Sequence, residues 1–149
     1  MSDRDRTKRT SVAMAIIHQN DKYLMQLRDD IVGIAYPGVW GFFGGHLEPG
    51  ELPEAGLRRE LIEEIGYSAD LLTKFRSMEM DRYIRHLFHC SLTVPAQKLQ
   101  LNEGWDTKLL TKTEIEREKA YSPQAEAEKP LGKIHRQIML DFIAMVESN

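Results

Sequence analysis

Three glutamates, Glu60, Glu63 and Glu64, recur at i, i+3 and i+4 within a stretch whose apolar residues keep helical spacing, so their carboxylates are expected on one helix face. Like charges at that spacing repel. Glu63 and Glu64 also fall in the last turn before Gly66, where the helix dipole is negative and each carboxylate costs about 0.3 to 1 kcal/mol. A cation against this face would offset that cost. Three convergent carboxylates suit a hard divalent ion, Mg2+ or Mn2+, which keeps several waters and binds substrate phosphates. Gly44 and Gly45 precede the helix, and with no side chains there the backbone can approach a ligand closely. Glutamate-rich helices are commonly only a solvated face. The order strand, glycine turn, helix is what favours a site here.

The elements that carry these residues follow from periodicity and punctuation. Residues 11–18 form a near-continuous apolar run, as in a strand buried on both faces. Gln19, Asn20 and Asp21 supply a turn into a second strand over residues 22–28, giving a hairpin. A loop over residues 29–38 leads to a short aromatic strand over 39–43. Pro53 then stands where a first helical residue is tolerated, and Gly66 stops a helix over residues 54–65. Residues 71–80 and 82–94 read as two strands joined at Asp81, and Leu109-Leu110 as a further short strand. A short helix follows over 113–116, then a loop over 120–130 that contains Pro123 and Pro130. Residues 131–146 place Ile134, Ile138, Met139, Phe142 and Met145 on one stripe of a final amphipathic helix. The expected architecture is α/β: a mobile arm over residues 1–10, then one domain over 11–149 with a mixed sheet covered by helices.

Composition narrows the partners. A net charge of −3 and a pI near 6.0 disfavour broad binding to nucleic acid, so a polyanionic ligand would need a local cationic device such as a metal ion. The 149 residues contain no apolar run long enough to span a membrane, and no apolar segment of signal-peptide type precedes Ser11. Cys90 is the only cysteine, which excludes an internal disulfide and fits a reducing, cytoplasmic location.

Residues 45–67 resemble the Nudix box, Gly-x5-Glu-x7-Arg-Glu-U-x-Glu-Glu-x-Gly-U, where U is a bulky aliphatic residue. Gly45, Glu51, Arg59, Glu60, Leu61, Glu63, Glu64 and Gly66 fall in register, and Tyr67 alone departs from the pattern. So many fixed positions in one short segment form a specific signal, and the chain is identified as a member of the Nudix hydrolases. The resemblance implies an αβα sandwich. It implies that Glu60, Glu63 and Glu64, with the Gly45 carbonyl, ligate Mg2+ or Mn2+, and that Glu51 pairs with Arg59 as structural support. The implied reaction is hydrolysis of the diphosphate linkage of a nucleoside diphosphate joined to another group, as in a nucleoside triphosphate or a nucleotide sugar. Glu64 and Glu103 are the candidate general bases, and replacing Glu63 or Glu64 by glutamine is expected to cut turnover without unfolding the chain. Members of the family often form homodimers. Two departures from its usual sequence stand out: Leu52 where a capping Ser or Thr is common, and Phe42-Phe43-Gly44-Gly45 where Phe-Pro-Gly-Gly is common. Gly56 lies inside the helix at a cost of about 1 kcal/mol relative to alanine, which close packing on the sheet would explain.

Further residues complete the expected site. Arg28, at the end of the second strand, and His46 could reach a substrate phosphate. Trp40 and Phe43, with Tyr36 and Phe42, could stack on a base. His86 and His89 should point to opposite faces of their strand, and Cys90 reads as a buried, inert thiol. No proline lies between Pro53 and Pro95, so the downstream mark of ADP-ribose hydrolases is absent, whereas Tyr83 falls near a tyrosine position of dinucleoside polyphosphate hydrolases. The alternative reading is a regulatory module that binds a nucleotide without turnover, though such modules usually lose part of the glutamate set. A Nudix-fold isomerase acting on an isoprenyl diphosphate would need a reactive cysteine near the site.

Overall fold

The computed structural model describes residues 9–30, 37–80 and 82–149. The arm over residues 1–8, Tyr36 and the turn at Asp81 lie outside these. The sheet is organised around β1 (Thr10–Gln19), whose run of apolar residues is buried against both faces, as such a run demands. Asn20 and Asp21 both adopt positive φ, the backbone of a tight hairpin turn, and return the chain as β2 (Lys22–Leu27).

β1 and β2 stay together only from Ile17↔Leu24 to Gln19↔Lys22. The second half of β2 instead pairs with β3 (Trp40–Gly41). The first half of β1 pairs with β4 (Phe43–His46), from Val12↔His46 to Ala15↔Phe43. The expected strand over 39–43 is thus broken at Phe42, whose N–H donates to His135 Nδ1 (3.1 Å). Along its other edge β1 runs parallel to β6 (Tyr83–Ser91) over its length, and β5 (Thr73–Met80) pairs antiparallel with β6. β7 (Asp106–Thr111) pairs antiparallel with β2 and completes a seven-stranded mixed sheet.

Helices cover both faces. Ala13, Ala15 and Ile17 face α1 (Pro53–Ile65), and these short side chains let Leu57, Leu61 and Ile65 approach the sheet closely. On the opposite face Ile16, Met25, Leu27 and Leu87 pack with α2 (Lys112–Glu116) and α3 (Lys133–Glu147). The result is the αβα sandwich that the resemblance implied. In α3 the buried stripe is His135, Ile138, Met139, Phe142 and Ile143 rather than one ending at Met145, which is half exposed. The expected loop over 120–130 is instead a hairpin, β8 (Lys119–Ser122) with β9 (Ala127–Pro130). Its signal was the alternation in Lys119-Ala120-Tyr121-Ser122, where Ala120 and Ser122 are buried. Pro130 terminates the ladder, a position at which its missing N–H costs little. No helix among the described residues is long and apolar enough to cross a membrane.

Candidate functional site

α1 starts at Leu52, whose side chain makes no capping bond, with Pro53 in the first turn, and it ends at Gly66 in the left-handed region (φ 64°). Gly66 N–H donates to Ile62 O (3.0 Å) and Tyr67 N–H to Leu61 O (3.3 Å), which satisfies two of the last carbonyls. Tyr67 is buried at its unusual box position because its hydroxyl has partners: it donates to Ser91 O (2.9 Å) and accepts from Thr93 N–H (3.1 Å). Gly56 packs against the loop before the helix, not against the sheet as expected. A Cβ there would collide with Leu47 Cδ2 and stand 2.8 Å from Glu51 Oε1.

Arg59 joins that loop to the glutamates. Its Nε and Nη2 each donate to the Glu51 carboxylate at 2.9 Å, so the expected supporting pair is bidentate. These bonds, with one from Glu48 N–H, push the Glu51 carboxyl down to about 2. Arg59 Nη1 also donates to Glu60 (3.1 Å) and Glu63 (3.4 Å).

Glu64 is 1% exposed. Gly44 N–H donates to its Oε1 (3.1 Å) and Gln26 Nε2 to its Oε2 (3.4 Å). Burial, and then the nearby Glu60 charge, hold its carboxyl well above the usual range despite the Gly44 bond, with Glu103 adding to the effect. The Glu60 carboxylate lies directly against Gly45, where a Cβ would stand 2.8 Å from its Cδ and 2.8 Å from Oε1. Glu103 is carried by a loop fastened to the end of α1: Asn102 N–H donates to Glu64 O (2.8 Å) and Asn102 Nδ2 to Glu63 O (2.9 Å).

These groups line one cleft of about 710 Å³, opened where β2 leaves β1. Gly45, Glu60, Glu63, Glu64 and Glu103 meet there with Arg28 and His46, as expected. Trp40 and Phe43 do not. Both are 0% exposed: Trp40 lies in the core under α3, where its Nε1 donates to Ala120 O (3.1 Å), and Phe43 lies under α1. Neither offers a ring face to a base. Phe42, with the opposite orientation along the strand, lines the cleft.

The sequence reading passed over Arg85, Gln26, Asn102 and His135, which also line it. Arg85 carried a visible signal, a lone cation among inward-facing Tyr83, Leu87 and His89 of an apolar strand. His86 approaches Ser77 Oγ (3.4 Å), whereas His89 meets His18 (3.4 Å) and packs against Phe142, so the two diverge as expected. Cys90 is buried and its thiol is pushed up to about 11 by desolvation.

The donor set fits a hard divalent cation: it is all oxygen, Gly45 leaves a cradle that a Cβ would fill, and the charges of Glu60 and Glu103 both act against ionisation of Glu64. As the side chains stand, no group of three acidic, imidazole or thiol residues among the described residues is arranged to hold an ion. Glu60 and Glu63 are turned toward Arg59. Ligation by all three glutamates would compete with those bonds to Arg59.

The chain resembles known proteins over most of its length. The family model for the NUDIX domain matches residues 7–142. Nucleoside triphosphatase NudI of Enterobacter sp. (strain 638) is 39% identical over 59 residues, which are 40% of this chain and 41% of that protein. The chain thus spans about two-fifths of the length of the curated relatives it matches. The solution structure of the Escherichia coli ORF135 protein shares 26% identity with a TM-score of 0.68, over 95% of this chain and 94% of that one. MutT from Aliivibrio salmonicida and Vibrio cholerae superimposes with a TM-score of 0.70 at 21% identity, over 93% and 99% of the chains, a likeness of fold. A match of that extent, over a sheet and helices arranged as in these solved structures, makes the chain a member of the NUDIX domain family.

Proposed function

We propose that the protein is a metal-dependent hydrolase that cleaves the phosphoanhydride linkage of a nucleoside triphosphate. The observation that carries this reading is the single cleft in which three helix-face glutamates, Gly45 and Glu103 stand with Arg28 and His46. The likeness to nucleoside triphosphatase NudI favours a triphosphate over a nucleotide sugar. Glu60, Glu63 and Glu64, with the Gly45 carbonyl, would hold Mg2+ or Mn2+. When bound, that ion neutralises the charge that develops on the phosphoryl oxygens.

The protein's own groups divide the remaining tasks. Glu64, buried and bonded to Gly44 N–H and Gln26, has little access to a water and serves as a ligand. Glu103 is exposed, on a loop anchored by Asn102, and serves as the general base. It takes a proton from water as the water oxygen bonds to phosphorus and the bond to the bridging oxygen breaks. Pyrophosphate and a nucleoside monophosphate leave. Arg28 and His46 orient the phosphate chain from the cleft wall. The single cysteine supports a reducing, cytoplasmic setting.

The test is release of phosphate and pyrophosphate from a nucleotide panel with Mg2+, with Mn2+ and with chelator. Pyrophosphate from one triphosphate class, abolished by chelator, is the expected result. Folded protein that cleaves nothing in either metal would overturn the proposal in favour of a binding-only module.

A further inference from the structure

Arg85 is a buried cation with unspent hydrogen-bonding capacity. It is 5% exposed, and its Nη1 has no acceptor among the described residues. Five acidic residues, Asp29, Glu60, Glu63, Glu64 and Glu103, line the same cleft, yet Arg85 lies within 4.0 Å of no carboxylate oxygen among the described residues. It is therefore not a structural counter-ion of those carboxylates. An orphaned donor of this kind is costly to bury, the more so when charged. Such a group calls for a partner that the protein itself does not supply, a ligand among them.

Its surroundings are apolar and aromatic. The register Val12↔Arg85 and Met14↔Leu87 places Val12 beside it on β1, with Met14 one pleat along. The Tyr83 ring lies 5.1 Å from the guanidinium carbon. Phe42 and His135, with ring centroids 5.0 Å apart, form another wall of the cleft. His135 itself is held neutral, pushed down to about 4 by burial and then by the nearby charges of Arg28 and Arg85. A phosphate chain directed at the glutamates leaves this apolar end for the planar part of a nucleotide. A guanidinium fork at the edge of a hydrophobic slot suits a base that presents carbonyl or ring-nitrogen acceptors.

We infer that Arg85 is the base-reading residue of this cleft, donating from Nη1 to an acceptor on the nucleobase edge. The inference rests on the nucleotide reading of the site but not on turnover. Read this way, the chain discriminates among nucleotides by the acceptors on the base. A base that offers an amino donor at that point leaves the buried guanidinium unpaired and is rejected.

The experiment compares wild type, Arg85→Gln and Arg85→Lys. Binding of the four nucleoside monophosphates and of inorganic tripolyphosphate is measured calorimetrically in chelator, and KM and kcat for the four triphosphates with Mg2+. The expected result is a base preference in wild type that Arg85→Gln flattens. The preferred nucleotide should lose on the order of 10- to 100-fold in Kd and KM, the scale of one hydrogen bond to a charged group. kcat should change little, tripolyphosphate should bind as before, and Arg85→Lys should recover part of the preference. The melting temperature of Arg85→Gln should match or exceed that of wild type. A uniform loss across all nucleotides and tripolyphosphate would make Arg85 a phosphate clamp and overturn the inference, as would an unchanged preference or loss of folding in both variants. If wild type binds with a preference that Arg85→Gln erases but hydrolyses nothing, the base-reading role stands and the hydrolase reading falls. If it hydrolyses and both variants keep its preference, the reverse holds. Absence of both binding and hydrolysis overturns both.

Discussion

Glu63 and Glu64 are adjacent in the chain but sit in different environments. Glu63 is exposed and reaches Arg59, while Glu64 is buried against Gly44 and Gln26. Glutamine at either position keeps the shape and removes the charge that would hold a cation. Each variant is therefore expected to lower kcat by roughly 10²- to 10⁴-fold, the range seen when a positioned catalytic group is lost. Far-ultraviolet circular dichroism and melting temperature should stay near wild type, because glutamine keeps the side-chain volume and its oxygen can still accept from Gly44 N–H at position 64. A second prediction concerns Glu51. Its pKa is about 2 in the folded protein against an ordinary 4.5, so the folded state binds protons less readily, and the pair with Arg59 stabilises the fold at pH above 4.5. That stabilisation is lost as pH falls from about 4.5 toward 2. The difference in melting temperature between wild type and Glu51→Gln should accordingly be greatest near neutrality and shrink across that window. A constant difference would show that the pair contributes no charge-dependent stability.

At the scale of elements, α1 and the loop before it act as one piece. Glycine inside a helix ordinarily costs about 1 kcal/mol relative to alanine, yet Gly56→Ala is expected to destabilise, because the new Cβ meets Leu47 and Glu51. The same displacement would disturb the Glu51–Arg59 pair and so lower kcat/KM. Urea denaturation together with steady-state kinetics reads both effects, and a gain in stability would contradict the packing. Leu52 is the opposite case. It is 73% exposed at the N-cap with extended backbone and no capping bond, so Leu52→Ser should raise stability by up to about 1 kcal/mol with activity unchanged. The apolar periodicity, Pro53 and Gly66 made this helix legible to within one residue of its observed start. The hairpin β8–β9 was obscured by its prolines, since Pro123 and Pro130 mark loops wherever a strand partner is not known.

For the whole molecule, the two faces of the sheet hold different things: α1 and its glutamates on one, α3 and His135 on the other, meeting at the cleft where β1 and β2 part. His135 is fully packed and its pKa is pushed down to about 4, against an ordinary 6.5, chiefly by burial. The unfolded chain therefore takes up a proton near pH 6.5 that the folded protein refuses until about pH 4, and stability falls as pH drops through that window, by about 3 kcal/mol if this group acts alone. Urea denaturation between pH 7 and pH 4 should show this slope, and His135→Gln should flatten it. A slope unchanged in that variant would assign the loss to other groups.

The sequence alone determined what is local: the helix that carries Glu60, Glu63 and Glu64, the Gly44–Gly45 turn and the cap at Gly66, because each depends on spacing along a single helix or turn, whereas the Glu51–Arg59 pair came only with the family resemblance. Tertiary structure decided which strand face looks into the cleft. Trp40 and Phe43 went to the core and Phe42 to the wall, because alternation fixes only relative orientation, and the pairing of β4 with β1 fixes the absolute one. Arg85 stood out in the sequence as a lone cation in an apolar strand, but only the parallel pairing of β6 and β1 set it beside Val12 in a cleft built from segments distant in sequence. Burial and partner geometry are properties of that assembled surface, and no local pattern carries them.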